Sequence, residues 1–229
     1  MAGSPGLQEV VYSKEPAASI VELKVARENR IYYSLKRGTD IAVTLFLLTL
    51  FLPMIPVVTI LIKLDSPGPI FFRQKRVGRN GKTFSFYKFR SMVSGAENGI
   101  GALRPLSGVD GPVFKIKDDP RITRVGRFLR RSSLDELPQL VNVVMGEMSI
   151  VGPRPNLPSE VSQYRPWQKR RLEVTPGITC FWQIAGRSHI GFQEWMRLDL
   201  EYVRKRSYIT DLKIMLKTVP AVIARKGAY

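Results

Sequence analysis

The chain has 229 residues, 44% hydrophobic and 24% charged, which suits one folded domain or one with an appendage and excludes a wholly disordered chain. Its 36 Lys and Arg against 19 Asp and Glu give a formal charge of +17, so a polyanion belongs nearby: nucleic acid, anionic lipid or a phosphate-rich substrate. One histidine (His189) and one cysteine (Cys180) exclude a zinc site of His and Cys ligands and any disulfide framework, and leave a Ser-His-Asp hydrolase with only His189.

Residues 1–35 read as a tail of Gly, Pro, Ser and isolated apolar residues, with a short helix near residues 20–30. No basic run leads straight into an apolar core at the start, so no signal peptide is expected. Residues 41–62, IAVTLFLLTLFLPMIPVVTILI, carry no charge. At about 1.5 Å per residue they reach roughly 33 Å, enough to cross a bilayer core. Pro53 and Pro56 at the centre each remove a backbone donor and favour a break. Both flanks are positive: Lys36 and Arg37 before, Lys63, Arg73, Lys75, Arg76 and Arg79 after. That symmetry suits a hairpin with both ends cytoplasmic better than a crossing. A kinked span and a buried soluble helix are the alternatives, and the length and uniformity weigh against the second.

Asp65-Ser66-Pro67-Gly68-Pro69 ends the helix sharply. Residues 70–72 and 84–89 are aromatic runs separated by Gly78-Arg79-Asn80-Gly81, the composition of a β-hairpin. Residues 94–111 are Gly-rich and polar, and are expected as a loop. From Arg121 the pattern is mainly helical, punctuated at 151–158 and 175–177. The fold class expected is α-rich α+β: a re-entrant membrane helix (36–65) and a mostly helical domain with a small β-hairpin (66–229).

An enzyme of this composition works with carboxylates, Lys and Arg, and a metal held by oxygen. Asp135-Glu136 is the strongest candidate. Ser133 and Glu136 have capping-box spacing, so both acids could simply decorate a helix N-terminus, and spacing alone favours that reading. Pro138 strains it, because with Ser133 as cap the proline falls where an amide donor is needed. The other reading uses Arg121, Arg124, Arg127 and Arg131, which recur at helical spacing upstream. Guanidinium groups beside a helix start would seat phosphates, with one carboxylate as nucleophile and its neighbour on a divalent cation. Alternatively, those arginines form a solvated or lipid-facing surface. Arg154 in Gly152-Pro153-Arg154-Pro155, and Trp182 near Arg187, are open to similar pairs of readings. Trp167 and Trp195 could be interfacial anchors or core, and His189 receives no role.

Taken together, these strings resemble the bacterial sugar transferases, monotopic polyprenyl-phosphate phosphoglycosyl transferases. The stretches that carry the resemblance are Lys36-Arg37 with Asp40, Ser66-Pro67-Gly68-Pro69-Ile70-Phe71, Gln74-Lys75-Arg76-Val77-Gly78 and Tyr87-Lys88-Phe89-Arg90-Ser91-Met92. Asp119-Pro120-Arg121-Ile122-Thr123, Leu134-Asp135-Glu136-Leu137-Pro138-Gln139-Leu140 and Gly146 through Pro155 follow. Pro176-Gly177-Ile178-Thr179, Trp182-Gln183, Gly186-Arg187 and Asp211-Leu212-Lys213 complete the set.

The resemblance implies a re-entrant helix broken at a proline, marked here by Pro53, Pro56, Ser66 and Pro67, and a catalytic domain on the cytoplasmic face of the bacterial inner membrane. It implies that Asp135 attacks the β-phosphate of a UDP-sugar donor and that a polyprenyl phosphate acceptor then takes the phosphosugar. Glu136 would hold Mg2+. Lys88, Arg154, Arg187 and Asp211 match the family's other active-site positions. Arg90 and Arg121 from neighbouring motifs complete the expected substrate-binding set. Membrane lipids are expected partners and nucleic acid is not, while a homo-oligomer is compatible with the resemblance. Larger members carry further transmembrane helices ahead of this region, so the chain is expected to be the catalytic unit alone. The sequence around 181–183 and the ending Lys226-Gly227-Ala228-Tyr229 look more like members that transfer a glucose or galactose 1-phosphate in exopolysaccharide assembly. A basic membrane-anchored binding module or scaffold is the rival reading.

Overall fold

The computed structural model describes residues 29–99, 105, 107–108, 110–114, 116, 118–185 and 191–224. The expectations for residues 1–28, for Arg187 and His189, and for the last five residues lie outside these.

The apolar segment folds as α1 (Arg30–Phe51) and α2 (Met54–Asp65), bent by 64° across Leu52 and Pro53. Only Pro53 sits at the break. Pro56 is the third residue of α2, within the first turn, where a missing amide donor costs nothing. No single helix among the described residues is long and apolar enough to cross a membrane, although the bent pair together has the length and composition. The helix also begins earlier than expected. Asn29 accepts from the Tyr32 amide at 3.2 Å, so α1 starts within the stretch read as tail.

The pair is half embedded in the rest of the protein. Val58 and Ile62 of α2 are buried with Phe89, Leu129 and Leu134, while Val57, Ile60 and Leu64 stay exposed. On α1, Leu45, Phe46 and Leu50 are exposed and Lys36, Asp40 and Thr44 are buried. The flanking cations therefore do not simply face lipid. Lys36 pairs with Asp211 at 2.8 Å, and Arg37 donates to the Val143 and Val144 carbonyls at a helix end. Both helices thus leave large apolar side chains exposed.

Strands β1 (Phe71–Val77) and β2 (Thr83–Phe89) form the expected antiparallel hairpin, with Phe71 opposite Phe89 and Val77 opposite Thr83. Its turn uses left-handed backbone at Asn80 and Gly81, the pair that tolerates positive φ best. Helix α3 (Arg124–Ser132) is capped by Thr123, whose hydroxyl accepts from the Gly126 amide at 3.0 Å. Arg121 thus lies outside the helix whose spacing it shares. A 3-10 turn (Leu134–Glu136) leads into α4 (Gln139–Val144).

A second sheet was not expected. β3 (Ser149–Val151) and β4 (Gly177–Thr179) pair in parallel, Ser149 opposite Gly177 and Val151 opposite Thr179. They lie in or next to the segments read only as punctuation. The two short helices α5 (Pro158–Val161) and α6 (Pro166–Lys169) lie between them. Helices α7 (Phe181–Ala185), α8 (Phe192–Lys205) and α9 (Tyr208–Ile223) follow. The main core joins β2, α4, β3, α8 and α9 through Phe86, Val143, Met148, Val151, Tyr202 and Ile214. A smaller core holds Tyr164, Phe192 and Met196, with Trp167 and Trp195 packed against it, so these tryptophans are packing residues here rather than free anchors.

Beside the β3–β4 pair the backbones approach so closely that a Cβ on Gly177 would overlap the Gly152 backbone, and one on Gly152 would overlap the Thr175 carbonyl. Neither neighbour is a flexible side-chain end. Gly177→Ala is expected to cost roughly 1–3 kcal/mol, read as a lowered midpoint in thermal unfolding. An unchanged midpoint would mean that this approach is looser than it looks.

Candidate active site

Ser133 decides the local geometry of the acidic pair. It ends α3 in the left-handed region, φ 59°, with its amide donating to the Arg130 carbonyl. It makes no side-chain cap, so the capping-box reading fails. The chain turns instead through a 3-10 turn held by Glu136 N–H to Ser133 O at 3.2 Å and Leu137 N–H to Leu134 O at 3.2 Å. Leu134 is buried beneath the turn, and Pro138 then caps α4, where it needs no donor. The result is two successive carboxylates on a short, anchored turn.

Cations arrive from two other elements. Lys88, on β2, places Nζ 3.4 Å from Asp135 Oδ2 and 3.0 Å from Glu136 Oε1. Arg154, on the loop after β3, grips Glu136 with both terminal nitrogens, Nη2 to Oε1 at 2.5 Å and Nη1 to Oε2 at 3.2 Å. Such a bidentate fork is the strong form of this pairing. Arg130 also bears on Asp135 electrostatically, and its Nε donates to the Ser91 hydroxyl at 2.9 Å.

The two carboxylates are driven apart by these surroundings. Burial pushes the Asp135 carboxyl up and the Glu136 charge adds to that, against the opposing pull of Lys88. Burial also acts on Glu136, but Arg154 and Lys88 together outweigh it and hold that carboxyl well below the usual range. Adjacent acids with opposed environments can take different roles: one a permanent charge, the other a more basic oxygen able to form a bond. Among the described residues, Asp135 accepts only from Lys88, while three donors engage Glu136.

The Arg154 loop is fixed from behind. Arg171, almost wholly buried, donates Nη2 to the Arg154 carbonyl at 2.6 Å and pairs with Asp199 at 2.7 Å. It also donates to Asn156 Oδ1 and, at 3.3 Å, to the Tyr164 hydroxyl. Arg76 adds a bond to the Pro155 carbonyl at 3.2 Å.

Other residues expected at the site lie in separate networks. Arg90 is 5% exposed and donates to the carbonyls of Ile62, Ser66 and Pro67, closing the end of α2. Arg121 is bound to Asp119 through Nε at 2.9 Å and Nη2 at 2.6 Å, and to the Ala96 carbonyl. Asp211 is 2% exposed and accepts from Lys36 and Tyr32 on one oxygen and Tyr202 on the other. Among the described residues, none of these three shares a hydrogen bond or ion pair with Asp135 or Glu136. Cys180 is buried and burial pushes its thiol far up, which makes it inert. Arg130, Arg171 and Asp199 received no role in the site from sequence. A basic run gives no sign of which arginine turns inward, and the Arg171–Asp199 pair spans 28 positions.

A metal would have to be completed by substrate. No group of three or more His, Cys, Asp or Glu side chains converges among the described residues. One or two carboxylates are nevertheless what Mg2+ commonly takes from a protein when phosphates and water fill its other positions. Among the described residues, Asp135 retains free lone pairs and Glu136 retains one on Oε2, so the residues present fit an ion brought with a diphosphate.

A model of the bacterial sugar transferase family matches residues 31–225. The chain belongs to the bacterial sugar transferase family. It is 49% identical over 162 residues to the galactosyl transferase CpsE of Streptococcus agalactiae, covering 70% of this chain and 36% of that protein. It is 39% identical over 201 residues to the exopolysaccharide production protein ExoY of Sinorhizobium fredii, covering 85% and 88%. It is 39% identical over 222 residues to the Escherichia coli UDP-glucose:undecaprenyl-phosphate glucose-1-phosphate transferase, covering 93% and 45%. The chain therefore spans most of ExoY but less than half of the two longer relatives. Within this family the four residues that the structure gathers, Lys88, Asp135, Glu136 and Arg154, all lie in strings that carried the resemblance.

Proposed function

We propose that this sugar transferase moves a sugar 1-phosphate from a UDP-sugar to polyprenyl phosphate of the undecaprenyl type, as an early membrane step of exopolysaccharide synthesis. The observation that carries the reading is the acidic pair held by Lys88 and Arg154: a basic carboxylate beside a permanently charged one, with cations placed for a diphosphate. The names of the relatives agree with it in substrate class.

In this reading, Asp135 attacks the β-phosphorus of the donor. The bond from that phosphorus to the bridging oxygen breaks, UMP leaves with that oxygen, and the phosphosugar remains on Asp135 as an acyl phosphate. An oxygen of the acceptor phosphate then attacks the same phosphorus and expels the Asp135 carboxylate, giving a polyprenyl diphosphate sugar and the starting enzyme. Lys88 orients Asp135 and meets the charge that develops on the phosphoryl oxygens, while Arg154 holds Glu136 and faces the diphosphate. Glu136, with diphosphate oxygens, would hold Mg2+. That ion supplies further charge neutralisation at the phosphates when bound.

The acceptor is embedded in lipid, so the site has to lie at the bilayer surface. We place α1 and α2 in the cytoplasmic leaflet of the inner membrane as a re-entrant pair, broken at Pro53, with Ser66 and Pro67 at the exit. The exposed apolar side chains of both helices support this placement.

The test is conversion of undecaprenyl phosphate in the presence of Mg2+ and a panel of UDP-sugars that includes UDP-glucose and UDP-galactose, followed in the lipid extract. One donor should yield a polyprenyl diphosphate sugar and stoichiometric UMP, and excess chelator should stop UMP release. No lipid product with any donor would contradict the function, and full activity in chelator would remove Glu136 from metal binding.

A further inference from the structure

A groove of about 170 Å3 has the acidic pair's Glu136 in its wall and otherwise presents mainly apolar side chains. Leu47 comes from α1, Leu137 from the turn after the acidic pair, Ile178 from β4, Ile184 from α7, and Ala221 and Val222 from α9. Both bounding long helices carry apolar side chains on their outer surfaces: Leu45, Phe46 and Leu50 on α1, Leu216 and Val219 on α9. The same two helices thus supply groove-lining residues and exposed apolar residues.

The chemistry at its Glu136 side is opposite. Glu136 is the charged residue of the wall, and behind it Lys88 and Arg154 both bond its carboxylate, with Lys88 reaching Asp135 as well. A cavity of about 150 Å3 accepts a benzene-sized apolar guest, so this groove has room for about one five-carbon isoprene unit. The donor, a sugar nucleotide, has no apolar segment to place there. An apolar chain that ends in phosphate satisfies both the walls and the charged end.

We propose that this groove binds the isoprene unit adjacent to the acceptor's phosphate, and so aims that phosphate at the phosphorus carried by Asp135. The proposal rests on the transferase reading above and adds the place and the part of the acceptor recognised. The occupant is the acceptor rather than an ordinary phospholipid. One narrow groove that ends where Lys88 and Arg154 hold Glu136 suits a single chain carried directly on phosphate, whereas a diacyl lipid presents two chains linked through glycerol.

The probe is a polyprenyl phosphate with a diazirine on its first isoprene unit, irradiated with the full chain in nanodiscs of phosphatidylglycerol and phosphatidylcholine. Labelling is expected within 178–184 or 218–222, and excess undecaprenyl phosphate should displace it. Displacement by added short-chain phosphatidylglycerol to the same extent would assign the groove to ordinary lipid. Labels confined to other peptides would overturn the proposal outright. A second variant reads the same point through kinetics. Ala221→Phe puts a ring into the groove and is expected to raise the acceptor KM at least about tenfold, normalised per mole of enzyme that gives a UMP burst with donor alone. An unchanged acceptor KM would contradict the assignment. If Ala221→Phe does not fold, the labelling decides alone. If wild-type protein gives no UMP with any donor even when undecaprenyl phosphate is supplied, the transferase reading fails, while labelling still reports whether a polyprenyl phosphate occupies the groove.

Discussion

Asp135→Asn is expected to lower sugar-phosphate transfer by roughly four orders of magnitude or more, the scale of loss when a covalent nucleophile is removed. The substitution keeps shape and removes the charge, and Lys88 and Arg154 remain paired with Glu136. The folded protein should therefore survive, with an unchanged unfolding midpoint to within a few degrees. Burial makes Asp135 more basic than an ordinary aspartate, and amidation also removes a charge that is costly to hold there. Transfer at near wild-type rate would remove Asp135 from the chemistry.

Arg171→Met carries the largest expected effect on stability. The Arg171–Asp199 side chains are each 1% exposed, and removing one partner leaves an uncompensated buried charge, at a cost of about 3–5 kcal/mol. Arg171 also holds the Arg154 carbonyl, so the loop that presents Arg154 should loosen together with the core. Thermal unfolding at neutral pH checks the first effect, and a loss under about 1 kcal/mol would mean that the pair is solvated. The acid side gives an independent reading. Burial lifts the Asp199 carboxyl to about 6 despite Arg171, above the roughly 3.9 of an unfolded aspartate. Between those values the folded state binds the extra proton, so this group's contribution falls as pH rises from about 4 to about 6. Asp199→Asn should flatten that part of the stability profile. A contribution that instead rises over this interval would reverse the sign of the desolvation argument.

The sequence carried the elements that local chemistry dictates. The Asn80-Gly81 turn between aromatic runs specified the hairpin, and Pro53 within an uncharged run specified the bend. Asp135 and Glu136 were legible as a pair, and Pro138 was the sign that they do not cap an ordinary helix. The capping-box spacing misled because Ser133 turns left-handed to end α3 and makes no side-chain cap, while Leu134 after it is buried in the core. The β3–β4 pair was invisible because two three-residue strands, joined across 25 positions, leave no period to read. Lys36 and Arg37 read only as a positive flank of the apolar run; in the structure Lys36 is buried against Asp211 and the Val151 carbonyl, and Arg37 holds the Val143 and Val144 carbonyls. Their partners lie more than a hundred positions away, where a single sequence gives no pairing signal.

In the proposed mechanism Asp135 carries the phosphosugar between donor and acceptor. Its most direct test is a single turnover of purified protein with Mg2+ and the productive UDP-sugar, with the lipid acceptor left out. A burst of UMP equal to the enzyme present is expected, together with the mass of a sugar phosphate added to the peptide that contains Asp135. Absence of any burst, with UMP appearing only once polyprenyl phosphate is supplied, would mean direct transfer in a ternary complex and would leave Asp135 as a base or a metal ligand.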